Sequence, residues 1–297
     1  MYRAAAPGRG AAAAGLGLSG AWRRAFGTAS DSARDPALRA YVADMVRPHG
    51  LDLAADTLTE GQSYGEMAGT LLAEDMLAGD RLAGDMEADR PVDLLAFAFA
   101  VPDVTPWRAT ACYLSHLCPG QPFAFAVCDQ GVIAPFTALR LIREYAAAGG
   151  CERALLVVAE QAVMPFRLDQ RAAPVAMPAR HAVVALRWDQ RPGPGRLEQV
   201  RLHAGVTRSQ ACRLLAETAA DRRDSAGLTT VVGTGLAGDA VAAGLPGRVV
   251  VAPPQQPSTG VWWEVAAGLA GMVVLADYDP VLGHLGLAVI DIPGGRP

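Results

Sequence analysis

Hydrophobic residues follow two different periods along this chain, and the two periods alternate. Uninterrupted apolar runs such as DLLAFAFAV at 93–101 and ALLVVA at 154–159 are typical of strands that are buried on both faces of a parallel sheet. Between them, apolar positions recur every three or four residues from 132 to 147, which predicts a helix that buries one face. The alternation predicts an α/β architecture.

The predicted elements fall into two rounds around a central linker. In residues 31–188 the pattern predicts helices at 38–46, 64–77, 105–117 and 132–147, and strands at 93–101, 122–127, 154–159 and 182–186. The Pro/Gly-rich segment DQRPGPGR at 189–196 predicts a linker. In residues 197–297 the pattern predicts helices at 209–220 and 262–270, and strands at 229–232, 248–252, 272–276 and 285–292. Two such rounds favour a duplicated, layered α/β fold.

The first 30 residues fit this pattern least well. They are rich in Ala and Gly and contain arginines but no acid before Asp31. Either a poorly ordered start or a first strand of low β-propensity explains this composition. The charged stretch LAGDRLAGDMEADR at 77–90 is predicted to be solvated.

Two segments carry a family resemblance. The segments VDLLAFAFAVPDVTPWRATACYLSHL and FAFAVCDQGVIAPFTALRLIREYAAAGGCERALLVVAE resemble the thiolase-fold condensing enzymes, in particular ketoacyl synthase III, and are similar to the chalcone-synthase branch. The resemblance is good over residues 92–188 and weaker over 225–292. It implies a thiolase-like α-β-α-β-α fold of two related halves, of which the second, with roughly 100 residues, is short for an active member.

The resemblance also implies a Cys-His-Asn triad, which this chain does not carry. The family's cysteine sits at a helix N-terminus, where the helix dipole favours a thiolate and backbone N–H groups stabilise an oxyanion. The matching position here is Val132, or Gly131 if the turn is one residue shorter. Gly233 replaces the histidine and Pro257 replaces the asparagine, and the whole chain contains no asparagine. All three positions are therefore predicted to be non-catalytic.

Two other residues are weaker catalytic candidates. Cys128 lies just upstream of the expected nucleophile, although a structural cysteine that ends a buried strand is the better reading. Asp129 is expected near the helix N-terminus as a cap or dipole partner, and its charge would disfavour a nearby thiolate. His284 is a second candidate base in the C-terminal half, with no nucleophile positioned for it.

Composition excludes several classes of function. Formal net charge is −4 with scattered arginines, so no basic stripe for nucleic acid is present. No apolar run reaches the roughly 18–20 residues that span a bilayer. Five irregularly spaced cysteines form no zinc or CxxC pattern, which predicts reduced, mostly buried thiols in a cytoplasmic protein without metal or bound cofactor.

Three functions remain open at this point. The resemblance favours a catalytically silent subunit that pairs, as heterodimer or heterotetramer, with an active ketoacyl-synthase-III-like enzyme of specialised polyketide or fatty-acyl biosynthesis. The substrates it implies are acyl thioesters of coenzyme A or of an acyl carrier protein, which is then a second partner. The alternative is an acyltransferase that uses Cys128, His284 or direct transfer by proximity. A third is a scaffold with an acyl pocket lined by Trp262 and Trp263.

Overall fold

The computed structural model describes residues 15–27, 29, 34–54, 58–77, 90–167, 176–191, 196–242 and 244–294. Residues 1–14 and most of the charged stretch at 77–90 lie outside the described residues. Across the described part of the chain, the strands form two mixed five-stranded sheets. The predicted α/β class is thus confirmed.

The first sheet is built from the N-terminal part of the chain. Its strands are β1 (Gly15–Phe26), β2 (Leu94–Ala98), β3 (Phe123–Val127), β4 (Arg153–Glu160) and β5 (His181–Arg191). Their spatial order is β1-β5-β4-β2-β3, with β2 parallel to both β3 and β4 and β5 antiparallel to its neighbours. Strand β1 shows that part of the first 30 residues forms a strand, which was one of the two alternatives left open.

The second sheet repeats this topology. Its strands are β6 (Leu197–His203), β7 (Thr229–Val232), β8 (Arg248–Val251), β9 (Gly271–Asp279) and β10 (His284–Ile292). Their order, β6-β10-β9-β7-β8, is the order of the first sheet with every strand number raised by five. The two halves are therefore duplicates in strand order, as the alternating pattern predicts.

Helices cover the sheets and separate them. The first half contributes α1 (Pro36–Val46), α2 (Tyr64–Thr70, continued by a π-helical turn at Leu71–Leu77), α3 (Thr110–Leu117) and α4 (Ala134–Ala147). The second half contributes α5 (Arg208–Ala220), α6 (Ala237–Ala242) and α7 (Gly260–Val265). Because α4 and α7 pack between the sheets while α2 and α3 cover one outer face and α5 and α6 the other, the layers are α-β-α-β-α.

The central layer holds the largest buried cluster. Phe136 of α4 packs on Trp262 of α7 with ring centroids 4.8 Å apart, between Leu156 of one sheet and Leu275 of the other. The predicted apolar face of α4 is buried at every position, because i, i+3 and i+4 spacing places these residues on one side of the helix. The central layer thereby fixes the start of α4 between the two sheets.

Strand β3 differs from its prediction. The run 122–127 was expected to be a buried strand, yet β3 is the edge of its sheet and Phe123 is 53% exposed. An apolar run indicates that a strand is shielded from water but not which element shields it, and within the described chain nothing pairs with the free side of β3.

Helix α3 begins at Thr110 instead of 105, since Asp103 and Pro106 hold the preceding residues in turns.

Two elements were missing from the sequence interpretation. Strand β6 directly follows the predicted linker, and the start of that linker, 189–191, belongs to β5. Helix α6 is too short for its period to be read. All five cysteines are free, as predicted, but the prediction that most are buried is wrong: Cys118 and Cys151 are buried, Cys112 is exposed, and Cys128 and Cys212 are intermediate.

Candidate functional site

The turn between β3 and α4 is sharp and left-handed. After Cys128 the chain passes through Asp129, at φ 59°, and Gly131, at φ 52°, before a single 3-10 turn at Gly131–Ile133 leads into α4. Two left-handed residues in three reverse the chain direction over a short distance, and glycine adopts this conformation without steric cost. A side chain on Gly131 would also meet a neighbour, because its Cβ would overlap Oδ2 of Asp279.

Asp279 is the residue that occupies this space. It ends β9 and is 9% exposed. Its Oδ2 accepts a hydrogen bond from the Val132 backbone N–H at 3.4 Å, and its Oδ1 accepts from the N–H groups of Val281 at 2.9 Å and Leu282 at 3.0 Å. A carboxylate therefore lies at the N-terminal turn before α4, where the free N–H groups of the helix favour negative charge.

A second carboxylate stands beside Gly233. A Cβ on Gly233 would overlap Oδ1 of Asp277, which is 1% exposed and accepts the Tyr278 N–H at 2.9 Å. Its Oδ2 has no hydrogen-bond partner among the described residues. Burial raises the pKa of Asp277 well above its ordinary value, and the negative charges of Asp279 and Glu160 raise it further.

A third carboxylate holds the segment around Pro257. Glu160, at the end of β4, accepts the backbone N–H of Ser258 at 2.9 Å and that of Thr259 at 3.3 Å, and also the Thr259 hydroxyl. Gln256 donates to the same hydroxyl oxygen at 3.0 Å. Burial raises the pKa of Glu160 to about 7, although these hydrogen bonds oppose the shift. The two halves of the molecule are thus joined through a buried acid.

Each of the three positions that the resemblance singled out has a buried acid beside it. Asp279 adjoins Gly131 and Val132, Asp277 adjoins Gly233, and Glu160 binds the residues that follow Pro257. Sequence reasoning missed these acids. The sequence signal was that Glu160 and the DYD motif at 277–279 lie at the ends of apolar strands. Acidic residues are rarely buried unless they are paired, so acids in these places indicate specific partners.

Cys128 is held as a thiol. Its Sγ donates to Oδ2 of Asp129 at 3.1 Å, and burial, followed by that carboxylate, raises the pKa of Cys128 to about 11. Because the thiolate is the nucleophile, this environment disfavours attack on a thioester at neutral pH.

The expected capping role of Asp129 is wrong. Asp129 is exposed, and Gln130 is the residue at the N-cap of the 3-10 turn. The carboxylate at this terminus is that of Asp279.

The remaining candidates from the sequence are His284, Trp262 and Trp263. His284 begins β10, opposite Asp279 in the hairpin register. Trp262 is fully buried in the central layer, and Trp263 stacks under the guanidinium of Arg23, whose carbon lies 4.8 Å from the ring centroid. Among the described residues no group of acids, cysteines and histidines is arranged to hold a metal ion. Among the helices that the structure describes, none is long and apolar enough to cross a membrane.

Sequence comparison finds no match, either to a family model or to a curated protein. Solved structures are similar in fold. The chain matches 3-oxoacyl-(acyl carrier protein) synthase III, FabH, of Pseudomonas aeruginosa PAO1 at 17% identity and a TM-score of 0.58, covering 95% of this chain and 100% of the other.

Two further structures show the same similarity. Ketoacyl synthase III of Thermus thermophilus aligns at 16% identity with a TM-score of 0.62, covering 94% of this chain and 100% of that enzyme. The acyltransferase ChlB3 aligns at 16% identity with the same TM-score, covering 94% and 99% of the two chains. At this level of identity the similarity concerns the fold, not the site. The chain has the thiolase-like fold of the ketoacyl synthase III-type condensing enzymes.

Proposed function

We propose that this chain is a catalytically silent ketoacyl-synthase-III-like subunit. It pairs with an active condensing enzyme or acyltransferase that acts on acyl thioesters of coenzyme A or acyl carrier protein in specialised polyketide or fatty-acyl biosynthesis. The observation that carries the proposal is the position of Asp279. Its carboxylate fills the space of a side chain at Gly131, one of the two positions expected for the nucleophile, and accepts the backbone N–H of Val132, the other.

Electrostatics support the absence of thiolate chemistry. A developing oxyanion or a thiolate at this helix start would lie against the carboxylate of Asp279, where stabilisation of negative charge is needed. The nearest cysteine, Cys128, keeps its proton beside Asp129. A substrate thioester therefore has no attacking group at the start of α4.

The edge strand β3 supports a partner. Its sequence, FAFAV, contains no charge and no proline, which are the usual means of preventing edge-to-edge association. Phe123 is 53% exposed and lies 6.1 Å from the ring of Tyr145 and 6.3 Å from that of Phe125, so an aromatic surface continues from the strand onto α4. A second sheet that pairs with β3 would cover this surface.

Co-expression with an active ketoacyl-synthase-III-like enzyme encoded beside this chain tests the proposal. We expect a one-to-one complex by size-exclusion chromatography with mass determination, and acyl transfer only when both chains are present. Phe123→Lys should prevent assembly because it places a charge on the pairing edge. Val251→Lys is the matched control, since Val251 is 41% exposed on β8, the edge of the other sheet.

A stable homodimer that turns over acyl thioesters alone would overturn the proposal. The alternative function, an acyltransferase with an unorthodox nucleophile, would then be tested with Cys128→Ala and His284→Ala. Loss of activity in either variant would identify the residue, and unchanged rates in both would leave direct transfer between two bound substrates.

A further inference from the structure

A cavity lies on the outer face of the N-terminal sheet, away from the positions of the missing triad. It has a volume of about 450 Å³ and lies between α2, α3 and strands β2 and β3. The three acids beside the triad positions lie instead at the central layer, since β4 and β9 direct alternate side chains to that layer. The cavity volume falls within the usual range for small-molecule sites.

The walls of the cavity are apolar and largely aromatic. Tyr64, Phe97 and Phe99 form a cluster with ring centroids 5.2–5.8 Å apart. The Tyr64 hydroxyl donates to the Val101 carbonyl at 2.7 Å, so the polar end of this ring is already satisfied. On β3 the cavity is bordered by the small side chains of Ala124 and Ala126. This lining suits a flat or extended hydrocarbon group.

One charged side chain at the cavity is available to a ligand. Arg108 is held by a hydrogen bond to Ser63 Oγ at 3.4 Å and by the ring of Tyr113, 5.2 Å from its guanidinium carbon, and its side chain is 31% exposed. Among the described residues its ion-pair partner is Glu66, at a long distance of 3.9 Å. A guanidinium retains several N–H donors under these conditions and matches the geometry of a carboxylate.

The nearby acid, Asp103, is engaged within the protein. Its Oδ1 accepts the N–H groups of Tyr64 at 3.3 Å and Thr105 at 3.0 Å, and its Oδ2 accepts the Thr110 hydroxyl at 3.3 Å. Burial raises the pKa of Asp103, although these hydrogen bonds oppose the shift. Arg108 is therefore the charged group that a ligand in this cavity would meet.

We propose that this cavity binds a small amphipathic carboxylate, with an aryl or medium-length acyl chain against the aromatic wall and the carboxylate at Arg108. The proposal uses the opposite face of the sheet and none of the triad positions, and it shares with the silent-subunit function only the edge strand β3, which borders the cavity. It assigns the chain a ligand site separate from the start of α4, where Asp279 fills the side-chain space of Gly131.

Cys112 provides a direct probe of occupancy. It lines the cavity and is the exposed cysteine, whereas Cys118 and Cys151 are buried. Sodium decanoate, below its micelle concentration, should slow alkylation of Cys112 by iodoacetamide, followed by peptide mass spectrometry. Cys128 and Cys212 in the same sample serve as internal references, and their alkylation should not change. Decanol, which lacks the carboxylate, should protect less well.

Two variants locate the site. Ala126→Phe should fill the cavity and weaken decanoate binding by about tenfold or more in calorimetric titration, while Ala267→Phe, at an exposed position after α7, should leave it unchanged. Arg108→Gln should weaken binding of decanoate but not of decanol. Thermal melting of each variant separates a lost site from a lost fold.

The proposal is wrong if decanoate leaves Cys112 alkylation unchanged, or if Ala126→Phe binds decanoate as the wild-type protein does. If instead Ala126→Phe and the partner enzyme fail to assemble while decanoate has no effect on either protein, the cavity receives a side chain of the partner, and a small-molecule site is excluded. Loss of the partner complex does not decide the ligand question alone, so the two experiments remain distinguishable.

Discussion

Asp279 Oδ2 occupies the space in which a side chain on Gly131 would begin, and it accepts the N–H of the next residue, Val132. The two residues are 148 positions apart and belong to opposite halves of the duplicated fold. The C-terminal hairpin therefore closes the start of α4 from the other half. A side chain at position 131 therefore requires a change at Asp279 as well.

Gly131→Cys alone should be destabilising and should not give a reactive thiol. The substitution strains a residue at φ 52° and forces its Cβ onto Asp279. Gly149→Cys is the control, since Gly149 has φ 73° and open space around its Cβ. We expect the control to lose about 1 kcal/mol in urea unfolding from backbone strain, and Gly131→Cys to lose about 1–3 kcal/mol more from overpacking.

The double variant Gly131→Cys with Asp279→Gly should recover the overpacking loss. Removal of the carboxylate frees the space and the Val132 N–H, and also removes a charge that disfavours a thiolate. Iodoacetamide labelling of residue 131 should be faster in the double variant than in the single one. Equal stabilities and equal labelling rates would show that Asp279 does not block this position.

Glu160→Gln should change how stability depends on pH. The glutamate gives up its proton near pH 4.5 when unfolded and near pH 7 when folded, so folding takes up a proton between these values. Wild-type stability should therefore fall as pH rises through this window and stay lower above it. Relative to wild type, Glu160→Gln should gain about 3 kcal/mol between these limits.

Chemical denaturation at a series of pH values measures this difference. Glu217→Gln is the control, because Glu217 is 63% exposed on α5. The Glu160→Gln difference is compared with the Glu217→Gln difference at each pH. A Glu160→Gln difference that is flat from pH 4.5 to pH 7 would contradict a raised pKa at Glu160.

The buried pair Arg153–Asp189 should be among the most sensitive sites of the first sheet. The two residues face each other across β4 and β5, are 1% and 0% exposed, and lie 2.8 Å apart from Nε to Oδ1. Arg153→Met leaves a buried carboxylate and should cost about 3–5 kcal/mol in urea unfolding. Arg153→Met with Asp189→Leu should cost less, and Arg213→Met, 68% exposed on α5, almost nothing.

Cys128→Ala should leave acyl transfer by the assembled complex unchanged. The thiol, with a pKa of about 11, remains protonated at neutral pH beside Asp129. Steady-state rates with an acyl thioester would check this, and mass spectrometry should find no acyl adduct on Cys128. An adduct at Cys128, with loss of activity in the alanine variant, would favour the unorthodox acyltransferase.

The fold was predictable because its signals are local. Runs such as 154–159 leave only a strand buried on both faces, and the helix at 132–147 carries a complete 3.6-residue period. β6 was missed because only Leu197 and Val200 are buried, three residues apart, so the segment after the Pro/Gly linker shows no two-residue period. The exposure of β3 could not be read either, because edge position depends on strand order, which no local pattern specifies.

The acids of the candidate site could not be predicted from the sequence. The positions Val132, Gly233 and Pro257 follow from aligned segments, and they remain predictions for the family's catalytic places. Asp277 and Asp279 meet these positions only after the second half folds against the first. Such contacts join residues far apart along the chain, and a sequence pattern of any length within one element does not contain them.

In the described part of the chain the duplicated topology leaves four strands at sheet edges, and they are not equivalent. β1, β6 and β8 each carry charged residues, as at Arg24, Glu198 and Arg248, whereas β3 carries none. A protein with one uncharged edge strand can pair with one partner across that strand, and no second uncharged edge then remains for a third chain. Growth by strand addition would thus stop at a pair, and a chain whose two sheets have free edges would avoid forming a fibre.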